Sequence, residues 1–245
     1  MSRAKADFET IADGKADGLI NQFLWLNSAM DIIYKDEQIL IINKPAGLSV
    51  LPEGWDKEAT YLVKTLEEEF EKIWVVHRID KVTSGIIIFA LTAEAHRLLN
   101  IQFEKHQVVK TYHALLNGVP KWDEKTTKFP LRVNVGHKHR TMVDDKNGVR
   151  SETRFKLLKR YPASALVEAM PMTGRTHQIR VHAYALGYPL LGDILYSAPE
   201  TNVISRPALH AYSLKFTHPT TNEEMNFQAD YPDDFKLAVK LLREK

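Results

Sequence analysis

Two apolar runs, Ile73-Trp74-Val75-Val76 and Ile86-Ile87-Ile88-Phe89-Ala90-Leu91, are separated only by His77-Arg78-Ile79-Asp80-Lys81-Val82-Thr83-Ser84-Gly85. Short continuous apolar runs bounded by turn signals read as buried strands, so the polar segment between them must be a short connection. That constraint places one carboxylate, Asp80, on a loop held by a rigid scaffold, with Arg78 and Lys81 close by, an arrangement suited to presenting a reactive group. The same pattern also describes a purely structural turn in which the Asp and Thr side chains bond their own backbone. The rest of the chain has to decide between the two.

Further elements follow from periodicity. Gln38 to Asn43 reads as a strand ended by the turn Lys44-Pro45-Ala46-Gly47. Lys57 to Lys72 reads as a helix with Leu62, Val63, Leu66 and Phe70 on one stripe. Thr92 is the expected N-cap of a helix whose apolar face is Ala95, Leu98, Leu99 and Phe103, with Glu94 in the first turn. Val108 to Leu116 and Ala165 to Met170 read as strands, and Arg132 to Gly136, Thr141 to Val143 and Arg150 to Lys159 as short strands around a turn at Asn147-Gly148. Thr173 or Thr176 is expected to cap a helix running to Leu186 and stopped by Gly187, and an amphipathic helix is expected from Asp233 onward. Strands predominate but helices interrupt them, so the class is α+β with a mixed, largely antiparallel central sheet and flanking helices around a cleft.

No composition break, repeat or long linker divides the 245 residues. One domain over 31–245 behind an N-terminal extension over 1–30 is therefore expected. The chain has no Cys, which excludes disulfides and thiolate metal ligands. It also lacks an apolar leader and any run of 18 apolar residues, so no membrane association is expected and the cytoplasm is the expected compartment. The formal net charge of +2 is small but unevenly spread. Lys125 to Arg160 holds eleven Lys or Arg, Lys138, Arg140 and Arg150 among them, against Asp144, Asp145 and Glu152. Such a segment can track phosphates, whereas Glu53 to Lys72 is acidic and is expected to face away from a polyanion.

Four further segments accompany the Asp80 loop: Lys44-Pro45-Ala46-Gly47-Leu48-Ser49-Val50, Lys110-Thr111-Tyr112-His113-Ala114, Gly174-Arg175-Thr176-His177-Gln178-Ile179-Arg180-Val181-His182, and Tyr188-Pro189-Leu190-Leu191-Gly192-Asp193. Leu209-His210-Ala211 and Thr217-His218-Pro219 extend the series. In this order and spacing the chain resembles the RluA-type family of pseudouridine synthases over roughly residues 31 to 230.

The resemblance implies a cofactor-free isomerase that turns uridine into pseudouridine in a ribosomal or transfer RNA stem-loop. Asp80 is then the catalytic carboxylate, adding to the anomeric carbon or taking a ribose proton. Tyr112 is the tyrosine that stacks on the uracil, with its phenol a possible base or relay. Arg180 is the arginine that reaches the carboxylate and keeps it ionised. Arg78 is expected to fill the vacancy left by the flipped base or to meet a phosphate, and Lys44 to support the site or the RNA backbone. Arg175, about 140° from Arg180 if both lie on one helix, is expected to meet phosphate at the helix N-terminus. Many members carry an additional N-terminal RNA-binding domain of the S4 type. The roughly 30 residues ahead of the resemblance are too few for one, so target selection is expected within the catalytic domain, acting as a monomer.

The ten His residues raise a metal reading, for His137 with His139 and for His177 with His182. The first pair lacks a nearby carboxylate of suitable spacing, and the second is five apart rather than four, so no metal is expected. Two rival functions are a non-catalytic RNA-binding module, which has no need of Asp80, Tyr112 and Arg180 together, and a glycoside hydrolase, which needs two carboxylates about one bond. No second acid stands out in the matched segments.

Overall fold

The computed structural model describes residues 31–52, 59–136 and 140–244, and Ile32–Lys245 groups into one compact unit. The expected 1–30 extension, the first part of the acidic stretch, Glu53 to Glu58, and the triplet His137, Lys138 and His139 lie outside the described residues.

The centre is a ten-stranded sheet in the order β1-β2-β4-β11-β5-β10-β9-β6, with β3 also paired to β4 and β12 to β11. Its strands are β1 (Ile32–Lys35), β2 (Ile39–Lys44), β3 (Trp74–Val75), β4 (Ser84–Ala90), β5 (Val109–Asn117), β6 (Glu124–Thr127), β9 (Thr153–Arg160), β10 (Ser164–Pro171), β11 (Leu209–Thr217) and β12 (Glu224–Gln228). A separate hairpin joins β7 (Leu131–Val135) to β8 (Arg140–Val143). Among the described residues four helices flank the strands: α1 (Leu62–Glu67), α2 (Ala93–Glu104), α3 (Gln178–Ala185) and α4 (Asp233–Arg243). The class is α+β, with a sheet that is antiparallel except where β4 runs parallel to β11.

Burial explains why β4 is central. All seven of its residues are buried, as a strand covered on both faces requires, and each large apolar side chain so placed contributes about 1.5–3 kcal/mol. Gly85 sits at φ +112, and a Cβ there would lie 2.2 Å from the Ala211 carbonyl oxygen. The parallel β4–β11 contact thus depends on the absence of a side chain at the residue that ends the Asp80 loop.

Several expectations need correction. β3 is two residues long, so Val76 already belongs to the connection. The helix expected from Lys57 is confined to Leu62–Glu67, although Leu62, Val63, Leu66 and Phe70 are buried as its stripe requires. Its first N–H groups are met by Ser49 and Val50 carbonyls, so tertiary bonds replace a side-chain cap. Thr92 does cap α2, accepting from Ala95 N at 3.2 Å.

Neither Thr173 nor Thr176 caps α3. The helix begins one residue later than a Thr176 cap allows, behind His177 in the left-handed region at φ 55, with no side-chain cap. The buried Gln178 instead fixes the turn ahead of the helix: its Oε1 accepts from Thr173 Oγ1 at 2.7 Å and Arg175 N at 3.1 Å, while its Nε2 donates to the Glu152 carbonyl and Thr153 Oγ1. Arg175 is therefore in a turn stapled to β9, and an angle between Arg175 and Arg180 measured around one helix does not apply.

Candidate active site

The Asp80 loop is fixed from three directions. Ile79 is buried in the core beside Ile88 and Ala211, so the side chains on either side of it, Arg78 and Asp80, are directed away from that core. Within the loop, Thr83 N donates to the Asp80 carbonyl at 2.9 Å. The Lys81 carbonyl accepts from Gly47 N at 2.8 Å and Lys44 Nζ at 3.2 Å. The next carbonyl, that of Val82, accepts from Arg206 Nη1 at 3.2 Å, and Arg206 is in turn gripped by both oxygens of Asp234 on α4. A loop with its carbonyls occupied in this way keeps its side chains in register with the floor of the cleft.

Lys44 takes one of the two roles expected for it, support of the site through the Asp80 loop, and not the other, contact with the RNA backbone. It is wholly buried, and its Nζ donates to the carbonyls of Pro45, Leu48 and Lys81, so it cannot reach RNA. Burial pulls its ammonium down to about 7. His77 is likewise architectural: its Nε2 accepts from Ile88 N at 3.1 Å and its ring stacks on Phe103.

Asp80, Arg78, Tyr112, Arg175, His177 and Arg180 all line one open cleft of about 540 Å³. Asp80 keeps 26% of its side chain exposed, while Arg180 keeps 5%. Arg180 Nη1 lies 3.8 Å from Asp80 Oδ2, an ion-pair separation rather than a hydrogen bond. Its strong partner is Asp193: Arg180 Nε and Nη2 each donate to one carboxylate oxygen at 2.7 Å, a bidentate geometry. Burial pulls the guanidinium down, but the bonds and charge of Asp193, followed by the charge of Asp80, outweigh it and leave Arg180 above its ordinary value. The second acid absent from the sequence reading is thus present in the matched segment. It is engaged with Arg180 rather than flanking a substrate bond, which removes the two-carboxylate geometry of a hydrolase.

Two more residues escaped the sequence reading. His177, weighed there only as a metal ligand, places Nε2 3.9 Å from Asp80 Oδ2. Tyr196, for which the sequence offered no signal, packs its ring 5.1 Å from the Arg180 guanidinium carbon and its hydroxyl 2.9 Å from His177 Nδ1. Tyr112 faces the same cleft from β5, and burial, followed by the negative charge of Asp80, pushes its phenol well above the usual range. The phenol is held neutral, which suits a stacking platform better than a phenolate base.

Arg78 and Arg175 lie exposed along the cleft rim. Arg140 opens β8, and Arg150 is exposed with Glu152 at 3.8 Å. The expected turn at Asn147-Gly148 is built around Asp144, whose Oδ1 accepts from Lys146 N and Asn147 N.

Comparison with known proteins agrees with this geometry. Residues 38–185 match the family described as RNA pseudouridylate synthase. A dual-specificity RNA pseudouridine synthase RluA from Haemophilus influenzae is 39% identical over 206 residues, covering 83% of this chain and 94% of that protein. The ribosomal large subunit pseudouridine synthase D of Zymomonas mobilis is 33% identical over 230 residues, covering 87% of this chain and 73% of that one. Among solved structures, human RNA pseudouridylate synthase domain containing 1 superposes with a TM-score of 0.70 at 26% identity, covering 88% and 95% of the two chains. Fold, cleft and relatives define an RNA-modifying isomerase. The chain belongs to the pseudouridine synthase family, as a member of its RluA type. Among the described residues, no helix is long and apolar enough to cross a membrane.

Proposed function

We propose that the chain isomerises uridine in ribosomal or transfer RNA stem-loops, working as a monomer in the cytoplasm, with Asp80 as its catalytic carboxylate. The observation that carries this reading is the convergence of Arg180 and Tyr112 about a half-exposed Asp80 in one cleft. Isomerisation breaks the bond from the uracil nitrogen to the anomeric carbon and forms one from a ring carbon to the same atom; the proton on that carbon is lost to solvent, and the freed nitrogen takes one up, so that atoms balance. Asp80 adds to the anomeric carbon or takes a ribose proton to give a glycal, while Arg180 stabilises its negative charge. Tyr112 stacks on the uracil as it turns, and Arg78 fills the place the flipped base leaves. One relative is named for the large ribosomal subunit, which supports ribosomal RNA as a substrate, and another for dual specificity, which is consistent with more than one RNA target. The test is pseudouridine mapping in ribosomal and transfer RNA from cells with and without the gene: loss of discrete sites is expected, and unchanged maps would refute the reading.

The basic segment supplies the RNA surface in this proposal. Replacing Lys138, Arg140 and Arg150 together with Gln should lower the slope of log affinity against log salt by up to about two units, at about 0.7–0.9 per lost phosphate contact. An unchanged slope would put the RNA elsewhere.

A further inference from the structure

Resting on the reading of Asp80 as the reacting carboxylate, hydrogen-bond accounting around Tyr196 assigns a role to His177. The Tyr196 ring is 3% exposed, so its hydroxyl hydrogen needs an acceptor inside the protein. The oxygen already accepts from Thr141 N at 3.0 Å, and among the described residues the remaining partner of the hydroxyl is His177 Nδ1 at 2.9 Å. The Tyr196 O–H therefore donates to Nδ1, which must be the bare nitrogen, and the imidazole proton sits on Nε2. That nitrogen is the one 3.9 Å from Asp80 Oδ2. Arg180 approaches the same oxygen at 3.8 Å, so two donors converge on Oδ2 and leave Oδ1 to the nucleoside.

We propose that His177 is a positioning residue of the isomerisation: its Nε2–H, oriented by Tyr196, holds Asp80 Oδ2 together with Arg180 and presents Oδ1 to the sugar. Both separations are ion-pair distances, 3.9 and 3.8 Å, longer than hydrogen bonds. The charged and titratable groups facing His177 are Asp80 on its loop, Arg180 on α3, Asp193 ahead of the short 3₁₀ turn Ile194–Tyr196, and Tyr196 itself. Burial, the largest influence, holds the imidazole below its ordinary value, so it is a neutral donor at pH 7. The left-handed backbone at position 177 is tolerated by Asn, and this makes a discriminating pair of variants available. An Asn amide reaches only the Nδ1 position, whereas a Gln amide reaches toward Nε2.

The inference is tested by proton–nitrogen correlation spectra of the imidazoles, with the His177 signal identified by its loss in His177→Gln, and by steady-state kinetics. A neutral Nε2–H tautomer is expected in wild type, shifting toward Nδ1–H in Tyr196→Phe. His177→Asn should lower kcat by about ten- to a hundredfold with KM for the RNA nearly unchanged, and His177→Gln should recover most of that loss. An active wild type with an Nδ1–H or charged His177, or with equal kcat for the Asn variant, would overturn the role of His177. Absent turnover by wild type would instead refute the functional reading itself, and with it this role.

Discussion

Asp80→Asn should abolish isomerisation while leaving the protein folded and able to bind RNA. The substitution removes a charge and a nucleophile at nearly constant volume, and 26% of the Asp80 side chain faces solvent, so the stability change should stay within about 1 kcal/mol. The loop itself does not depend on the carboxylate. It is held through its backbone, by Lys44 and Gly47 at the Lys81 carbonyl and by Arg206 at that of Val82. Turnover should fall by at least about four orders of magnitude, the scale on which enzymes lose rate when the group that attacks the substrate or takes its proton is removed. Tritium release from labelled uridine in stem-loop RNA measures the rate, thermal denaturation the fold, and salt-matched titration the affinity. A variant retaining even about one part in a hundred of the wild-type rate would show that the carboxylate is not the reacting group.

The contrast between legible and illegible parts of this chain has a physical basis. β4 could be recognised because six apolar residues in a row have few environments open to them, and α2 because Thr92 and the Ala95–Phe103 face obey local rules. The start of α3 could not, because the left-handed His177 precedes it without a side-chain cap, and Gln178 ties it to Glu152 and Thr153, 26 and 25 residues earlier in the chain. The same distinction runs through the site. Asp80, Tyr112 and Arg180 were found through motif order, and the cleft brings them together. For Lys44 the choice between supporting the site and meeting the RNA backbone was not legible, because it is decided by three carbonyls that replace the water around its ammonium. Asp193 and Tyr196 were missed because their role depends on a chain reversal that returns the segment after Leu190 to the face of α3, and no local pattern encodes that return.

Arg180 and Asp193 allow scaffold and chemistry to be separated. Arg180→Met strands the Asp193 carboxylate, which is 1% exposed, and breaking a buried pair from one side costs about 3–5 kcal/mol. Low activity in that variant alone would therefore be ambiguous. The double substitution Arg180→Met with Asp193→Asn leaves no buried charge behind, and most of the lost stability should return, because removing both members of a buried pair is far less costly than removing one. Activity should not return. The Nη1 that approaches Asp80 Oδ2 at 3.8 Å is absent from both variants, and without it the reacting carboxylate has lost its nearest fixed cation. Denaturant unfolding of the two variants beside their single-turnover rates gives both quantities on the same preparations. A double variant that regained wild-type turnover along with its stability would make Arg180 purely a scaffold for the Asp193 segment, and the electrostatic support of Asp80 would then have to come from elsewhere in the cleft.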